Sequence, residues 1–470
     1  MNIYTFLSKK LGIDTIDSSF YSLIDSWGSW YRSNVSHFHR YNIYNGQKKI
    51  MCRRLSLGMA AQVSSDMADL LLNERVKITI NDETTSNFVN DVLERNQWQY
   101  KSNEYQELKA ALGTVAYVVQ VDGAAVYDDE HIEGGNIRID YVRASNIFPI
   151  SWDNSIIHEC VFRFRKTYKG KVYYHLQIHK KENGLYVVEN HVVRDTSGSG
   201  TEIPPEKWSD YTPFQNMAPR IATGSEYPLF IIDKLNIANN FGDDNENPMG
   251  MSIFYNSLSV LQSIDLKYDS YANEFSLGKK RLFVAPEIAE NKNGDAVFDE
   301  NDVVFYILPE DTLEKNDAIH EVNMDLRVDE HSKAIQDDLN LLSLKCGFGQ
   351  NRYKFDRGTI QTATQVISED SDMYRTVCKH ELVLDEAIKE LVRTIARIGT
   401  AIGVKELDPD AEIEIDFDDS IIEDKASERI SDRADVAMGA MSLVEYRMKW
   451  YGEPEEKAKK KVVENEDVIE

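Results

Sequence analysis

Two long amphipathic runs separated by a short β-patterned stretch constrain this chain more than any other feature. From Gly250 to Leu277 the apolar residues Phe254, Leu258, Leu261, Ile264, Tyr268, Tyr271 and Phe275 recur in steps of three and four. That is the seam of a long helix, with Gly278 placed to cap it. The run follows a clear break at Asn247-Pro248-Met249-Gly250. A second stripe, Val328, His331, Ile335, Leu339 and Leu342, leads to Cys346 and stops at Gly347. Between the two, Leu282–Ala285 and Val303–Leu308 read as strands, with Asn293-Gly294-Asp295 turning between them. Two long helices around a small β excursion predict a stalk with a knob at its end.

The chain before this stalk reads as a mixed body. Phe20, Leu23, Ile24, Trp27, Trp30 and Tyr31 fall at helical spacing, and the first stretch, to about residue 75, is expected to be helical. Within it, Met51 to Leu72 places Leu55, Met59, Val63, Met67 and Leu70 on one face, and its Met and Trp residues read as core packing. Strands follow at Val76–Ile80, Thr114–Val121, Asn136–Val142, Cys160–Tyr168, Val172–Ile178 and Gly184–Val193, with helices at Thr85–Arg95 and Tyr105–Leu112. Lys169-Gly170 marks a hairpin, so the sheet is antiparallel and the class α+β. Thr196 to Pro228 is rich in Ser, Gly and Pro and is expected to be an irregular, exposed connection. Beyond the stalk come a helical stretch at Gln361–Ile402, a strand at Glu412–Phe417, and a final helix pair at Ser427–Tyr451 and Pro454–Glu466. At 470 residues the chain exceeds one simple core.

Charge excludes some functions. The net charge is −26. A chain that grips DNA carries a basic face, because affinity comes mainly from neutralised phosphates. A passage through which DNA slides has the opposite need, since each tight phosphate contact would brake it. Cys52, Cys160, Cys346 and Cys378 form no CxxC pair and are read as reduced thiols, with neither a disulfide framework nor a zinc site. The start, with Lys9 and Lys10 and no uninterrupted apolar core, does not read as a secretory signal, and no apolar run is long enough to span a bilayer. Synthesis and use in the cytoplasm are expected.

Motifs for catalysis are lacking. GxxxxGK[ST], HExxH and GxSxG do not occur. His175 and His179 are four apart but on a strand pattern, which separates them by about 13 Å, too far to share a zinc ion. They are read as half-exposed strand histidines. Asp243, Asp244 and Glu246 form one acidic cluster; Asp416, Asp418, Asp419, Glu423 and Asp424 form another. Either could hold Mg²⁺, but neither has calcium-loop spacing, and a solvated face or subunit contact is the simpler reading. No catalytic residue, metal or cofactor is assigned. The most informative segment is residues 347–358. It places Gln350, Asn351, Arg352, Tyr353, Lys354 and Arg357 in a glycine-bearing loop of a strongly acidic chain. Aromatics alternate with cations there, as on surfaces that touch nucleic-acid backbones. An ordinary exposed helix connection has the same composition.

Gly347-Phe348-Gly349, then Phe355-Asp356, then Thr362-Ala363-Thr364-Gln365-Val366 resembles the loop and following helix of portal proteins of tailed phages that infect Gram-positive bacteria. Gln365 stands where that family usually has an acid. Leu72-Asn73-Glu74, Tyr227-Pro228-Leu229-Phe230, Asn239-Asn240, Pro248-Met249-Gly250-Met251-Ser252-Ile253-Phe254, Gly278-Lys279-Lys280-Arg281 and Asp416-Phe417-Asp418-Asp419-Ser420-Ile421 agree in order, so the similarity covers nearly the whole chain. The resemblance implies a structural protein, not an enzyme: a ring, usually of about twelve subunits, at one capsid vertex of the virion, assembled in the host cytoplasm. Double-stranded DNA would pass through it without sequence specificity during packaging, retention and ejection. The implied partners are terminase, scaffolding and major capsid proteins, and head-completion proteins; no membrane is involved.

The implied parts are a wing at 1–247, a first stem helix at 248–279 and a clip at 280–325. A second stem helix at 326–346, a tunnel loop at 347–360, a long helix with return strand at 361–420 and a helical crown at 421–470 complete it. Arg352, Lys354 and Arg357 are expected to form a thin basic belt facing DNA. Lys279, Lys280 and Arg281 are a second candidate belt, although cations at a helix C-terminus are favourable without any ligand. Two other readings stay open: a metal-dependent nuclease using the acidic clusters, with Asp416 and Asp418 essential, and a non-viral ring scaffold.

Overall fold

The computed structural model describes residues 3–44, 48–72, 76–123, 125–126, 132–196, 199–242, 247–278, 281–284, 305–307, 319–322, 325–355, 363–417 and 425–466. Helices and strands mix along the chain, in line with the α+β reading.

The main core is built around strand Thr114–Asp122, whose first six residues are all buried. An apolar, β-branched run without alternation suits a strand covered on both faces. Phe230–Lys234 and Asn136–Arg143 flank it, both antiparallel. Helix Trp98–Leu112 leads into this strand through Gly113, at φ 85°. Here Ala110 O accepts the Ile253 N–H at 2.9 Å, and Thr114 Oγ1 accepts the Gly250 N–H at 2.8 Å. The segment from Met249 to Phe254 is thereby threaded across the start of the strand, and a Cβ on Gly113 or Gly250 would overlap the other's carbonyl oxygen. That threading corrects one expectation. The helix predicted from Gly250 begins only at Leu258, because Met249, Met251, Ile253 and Phe254 are buried in a non-helical conformation.

Under the same sheet lies a buried ion pair. Lys109 Nζ and Asp233 Oδ1 are 2.8 Å apart with both side chains fully buried. Gln106 Nε2 and the Tyr117 hydroxyl donate to the other carboxylate oxygen at 2.7 and 3.1 Å. Burial pulls the Lys109 ammonium below its ordinary pKa, and Asp233 opposes that pull.

A second antiparallel sheet runs Ser199–Ile203, Leu185–Thr196, Lys171–Glu182, Ile156–Tyr168, Ile147–Asp153, with Arg220–Ala222 beside Leu185–Thr196. Residues 196–228, expected to be irregular and exposed, instead contribute two of these strands and a small core. Trp208 and Phe214 bury against Tyr173, Val192 and Ile203. The Trp208 indole N–H donates to Ile203 O at 2.9 Å, so its polar end is satisfied where its ring is buried. Isolated aromatics at irregular spacing leave no periodic signal.

The amino-terminal stretch is not helical throughout. Helix Ser18–Tyr31 is capped by Asp17, which accepts the Ser19 N–H. Strands Arg40–Tyr44 and Lys49–Arg53 then form an antiparallel hairpin, and the helix read from Met51 starts at Met59. The intervening Asn45-Gly46 is a hairpin dipeptide that the helical reading passed over.

Helices Leu258–Leu277 and Val328–Lys345 pack together, and strands Arg281–Val284, Phe305–Ile307 and Ile319–Val322 form one small sheet between them in sequence. Helix Ala363–Ala401 spans 39 residues and packs on strand Phe230–Lys234 and helix Glu83–Arg95. Strand Ile413–Asp416 returns to pair with Lys77–Ile80. The single helix expected over Ser427–Tyr451 is two, Lys425–Met438 and Leu443–Tyr451. Gly439 interrupts it, and a reciprocal cap between Ser442 and Glu445 starts the second helix.

Candidate DNA-channel loop

The helix pair sets the position of the loop. Lys345 Nζ donates to Asn256 O at 2.7 Å, Lys267 pairs with Asp338 at 2.7 Å, and Arg327 grips Glu274 at 3.0 and 2.9 Å. Contacts at both ends and the middle fix an antiparallel pair in register. The Arg327 guanidinium draws the Glu274 carboxyl down to about 2. Ile335, Leu339 and Leu342 supply the buried seam, as their spacing predicts.

The second helix ends against the long helix. Gly347, at φ 82°, lies where a Cβ would meet Thr376 at 2.6 Å, so both its backbone and its neighbour require glycine. The Phe348 N–H donates to Ser343 O at 3.0 Å, and its ring is buried. From Asn351 to Phe355 burial alternates: Arg352 and Lys354 are exposed, while Tyr353 and Phe355 turn inward. Gln336 holds this short piece from the helix. Its Nε2 donates to Tyr353 O at 2.7 Å and its Oε1 accepts the Phe355 N–H at 2.7 Å. The Phe355 ring meets Tyr271 edge-on, with centroids 5.7 Å apart, and Tyr353 meets Phe348 at 6.2 Å.

The aromatics of this loop are therefore anchors. Tyr353 was expected among the DNA-facing residues through the alternation of rings with cations. Its ring instead packs on the core, and burial together with the Asp66 carboxylate raises its phenol well above the ordinary range. What the alternation does produce is a segment with its rings fastened inward and its cations outward. Gln350 is exposed, and Asn351 is half-buried at φ 66°. Arg357, Lys279 and Lys280 lie outside the described residues; Arg281 opens the strand paired with Val322. Gln336 was missed by the sequence reading. A polar residue at a half-buried helix position, one turn from the apolar seam, was the available signal.

The other candidates separate from this site. His175 and His179 are buried, not half-exposed. His175 Nε2 donates to Asn190 Oδ1 at 2.7 Å, while the His179 ring lies edge-on to Phe162 and Phe230 at 5.4 and 5.3 Å. Desolvation lowers their pKa values to about 4 and about 3. Phe230, from the neighbouring three-stranded sheet, packs on the face that carries His179 and closes a position that alternation alone would leave half open. Asp416 is exposed and registers with Lys77; Asp243, Asp244, Glu246, Asp418, Asp419, Glu423 and Asp424 lie outside the described residues. Among the described residues no three His, Cys, Asp or Glu side chains are grouped to hold a metal, and no helix is long and apolar enough to cross a membrane. Burial raises the Cys346 thiol at the loop's root to about 12, which leaves it without nucleophilic character at neutral pH.

The family model described as "Phage portal protein, SPP1 Gp6-like" matches residues 12–467. No curated protein matches the chain. Among solved structures, a chain of the "Neck of native GTA particle computed with C12 symmetry" is similar over 83% of this chain and 88% of its own. The identity is 10% and the TM-score 0.37.

Proposed function

Because the chain belongs to the SPP1 Gp6-like family of phage portal proteins, we propose that it forms the ring at a capsid vertex through which double-stranded DNA is packaged, retained and ejected. Family membership makes its role structural, at the capsid vertex of a phage; the ring, the channel and the docking roles belong to the proposal. The antiparallel helices Leu258–Leu277 and Val328–Lys345 serve as the stem, the sheet of Arg281–Val284, Phe305–Ile307 and Ile319–Val322 as the clip, and the three carboxy-terminal helices as the crown. Head-completion proteins dock at the clip, and terminase, scaffolding and major capsid proteins are the chain's further partners.

The observation that carries the channel reading is the loop from Asn351 to Phe355, where Arg352 and Lys354 are exposed over inward-packed rings in a chain of net charge −26. A wall of that sign repels DNA, and a thin belt of cations touches it without holding it fast. Arg357, and Lys279 to Arg281, extend the belt in this proposal. The test has two parts. Native mass and negative-stain images of the purified chain should show closed rings with a central hole. An Arg352→Ala/Lys354→Ala/Arg357→Ala variant should assemble normally yet change the rate of packaging or the retention of DNA. Wild-type values for both quantities would remove the belt from the mechanism. A compact dimer with Mg²⁺-dependent nuclease activity lost in Asp416→Asn/Asp418→Asn would replace the reading altogether.

A further inference from the structure

Between Asp25 and Asp66 the sequence holds no Asp or Glu and six Lys or Arg, in a chain of net charge −26. The middle of this stretch is the hairpin of Arg40–Tyr44 and Lys49–Arg53. Arg40 stands directly opposite Arg53 in the ladder, and Lys49 opposite Tyr44. Like charges paired across a ladder are unfavourable unless an anion covers them. Apolar side chains are exposed on both faces of the same hairpin: Ile43 and Ile50 as an opposed pair on one, Tyr44 and Met51 on the other, with Met51 at 75%. A two-stranded hairpin is marginal alone and needs something to pack on. Phosphates would satisfy Arg40, Lys49 and Arg53 but would not bury Tyr44 and Met51 on the same face, so the partner this face fits is an acidic protein surface with apolar residues in it.

The root of the hairpin is fixed to helix Leu258–Leu277. Asp265 accepts the Leu57 N–H at 2.9 Å and the His39 Nε2–H at 3.0 Å; Asp269 accepts the Leu55 N–H at 3.0 Å. At 3.6 residues per turn, Asp265 and Asp269 lie almost opposite Lys267, Tyr271 and Glu274, the positions facing helix Val328–Lys345. The order across the subunit is therefore hairpin, first helix, second helix. The outer face of the second helix carries Glu330, Lys333, Asp337, Leu341 and Leu344, all exposed, at steps of three, four, four and three; its two carboxylates outnumber its one ammonium. A basic and apolar arm thus stands on one side, and a net acidic and apolar helix face on the other. Two different, complementary surfaces on opposite sides are what a head-to-tail contact between identical subunits requires.

We propose that the 40–53 hairpin is the arm by which each subunit grips its neighbour, laying Arg40, Lys49, Arg53 and the Tyr44 and Met51 of the same face on the Glu330–Leu344 face of a second copy of this chain. This rests on the ring reading and names the residues that close it. The test uses the full chain and a charge swap. Wild type and three variants, Arg40→Glu/Arg53→Glu, Glu330→Lys/Asp337→Lys and all four changes together, are compared by light scattering and negative stain. Each double variant should need at least tenfold more protein to form rings, and the fourfold variant should recover most of that loss. Thermal unfolding confirms that the variants fold. As a second readout, Lys49→Cys with Leu341→Cys in a Cys52→Ser background should oxidise to ladders of chain multiples, which neither single cysteine produces. Normal rings from Arg40→Glu/Arg53→Glu overturn the inference and leave the portal reading standing. The same holds if those rings form normally but retain DNA poorly, since the cations would then serve phosphate. A wild-type chain that never forms rings overturns both.

Discussion

Gln336 and Phe355 are joined through the side-chain amide of one and the backbone N–H of the other at 2.7 Å, and the same amide reaches back to Tyr353 O at 2.7 Å. One helical residue thereby does for the loop what a neighbouring strand would do, satisfying a donor and an acceptor two residues apart. Gln336→Leu removes both bonds and leaves two half-buried backbone groups without these partners, at a local cost of about 1–3 kcal/mol. Hydrogen–deuterium exchange should show lost protection confined to residues 350–355, with the helix pair unchanged. Uniform loss across the stem would show that the loop and helices open as one unit.

Gly113 and Gly250 cross backbone to backbone, and neither has room for a Cβ. Gly250→Ala should cost about 2 kcal/mol or more, the range for forcing extra volume into a packed site. Ser259→Ala, an exposed change at the second residue of the helix, should be nearly silent. Thermal unfolding of both variants checks this, and equal midpoints would mean that the crossing relaxes freely.

The buried pair of Lys109 and Asp233 separates two costs. Lys109→Met leaves a carboxylate in the core with only Gln106 and Tyr117 to solvate it, and should destabilise by about 3–5 kcal/mol. Adding Asp233→Asn removes the stranded charge, so the double variant should be more stable than Lys109→Met alone. Chemical denaturation of the set measures the coupling directly; additive losses would mean that the two groups do not act as a pair.

His179 gives a pH prediction with a definite sign. Burial lowers its pKa to about 3, and both ring nitrogens lack a hydrogen-bond partner. Unfolded, an ordinary histidine titrates near about 6.5. Between those values the unfolded chain binds a proton that the folded chain refuses, so stability rises with pH across this window and is lost as pH falls below about 6.5. From pH 7 to pH 5 the contribution is on the order of 2 kcal/mol for this one group. His179→Leu should remove that slope and be the more stable protein at pH 5. Parallel pH dependences of wild type and variant would place the acid sensitivity elsewhere, in His175 or His380, which burial also lowers to about 4 and about 3.

The sequence made the helical parts of the stalk legible because a three-and-four repeat has one physical solution. Ile335, Leu339 and Leu342 lie where their spacing puts them. It did not reveal where helix Leu258–Leu277 begins. Phe254 fits the helical stripe, yet it is buried by a long-range bond from Ile253 to Ala110 that no local pattern encodes. The hairpin at residues 40–53 was missed although Asn45-Gly46 marks it, because rows of apolar residues on either side dominate a helical reading. In the loop, residue types were legible and directions were not. Arg352, Tyr353, Lys354 and Phe355 alternate, and only the contacts with Gln336 and Tyr271 decide that the rings point in.

Helix Ala363–Ala401 begins eight residues after Phe355 and runs 39 residues without interruption, about 58 Å at the usual rise. Its far end is seated on Phe88 through Gly399, and its middle is fastened by the Asn236 N–H to His380 Nδ1 at 3.1 Å. A rod so seated cannot tilt by itself, because Leu384, Ile388, Leu391, Val392 and Ile395 are buried along it. Displacing it beside the loop would drag strand Phe230–Lys234 and helix Glu83–Arg95 along, so that half of the subunit answers a push as a single block.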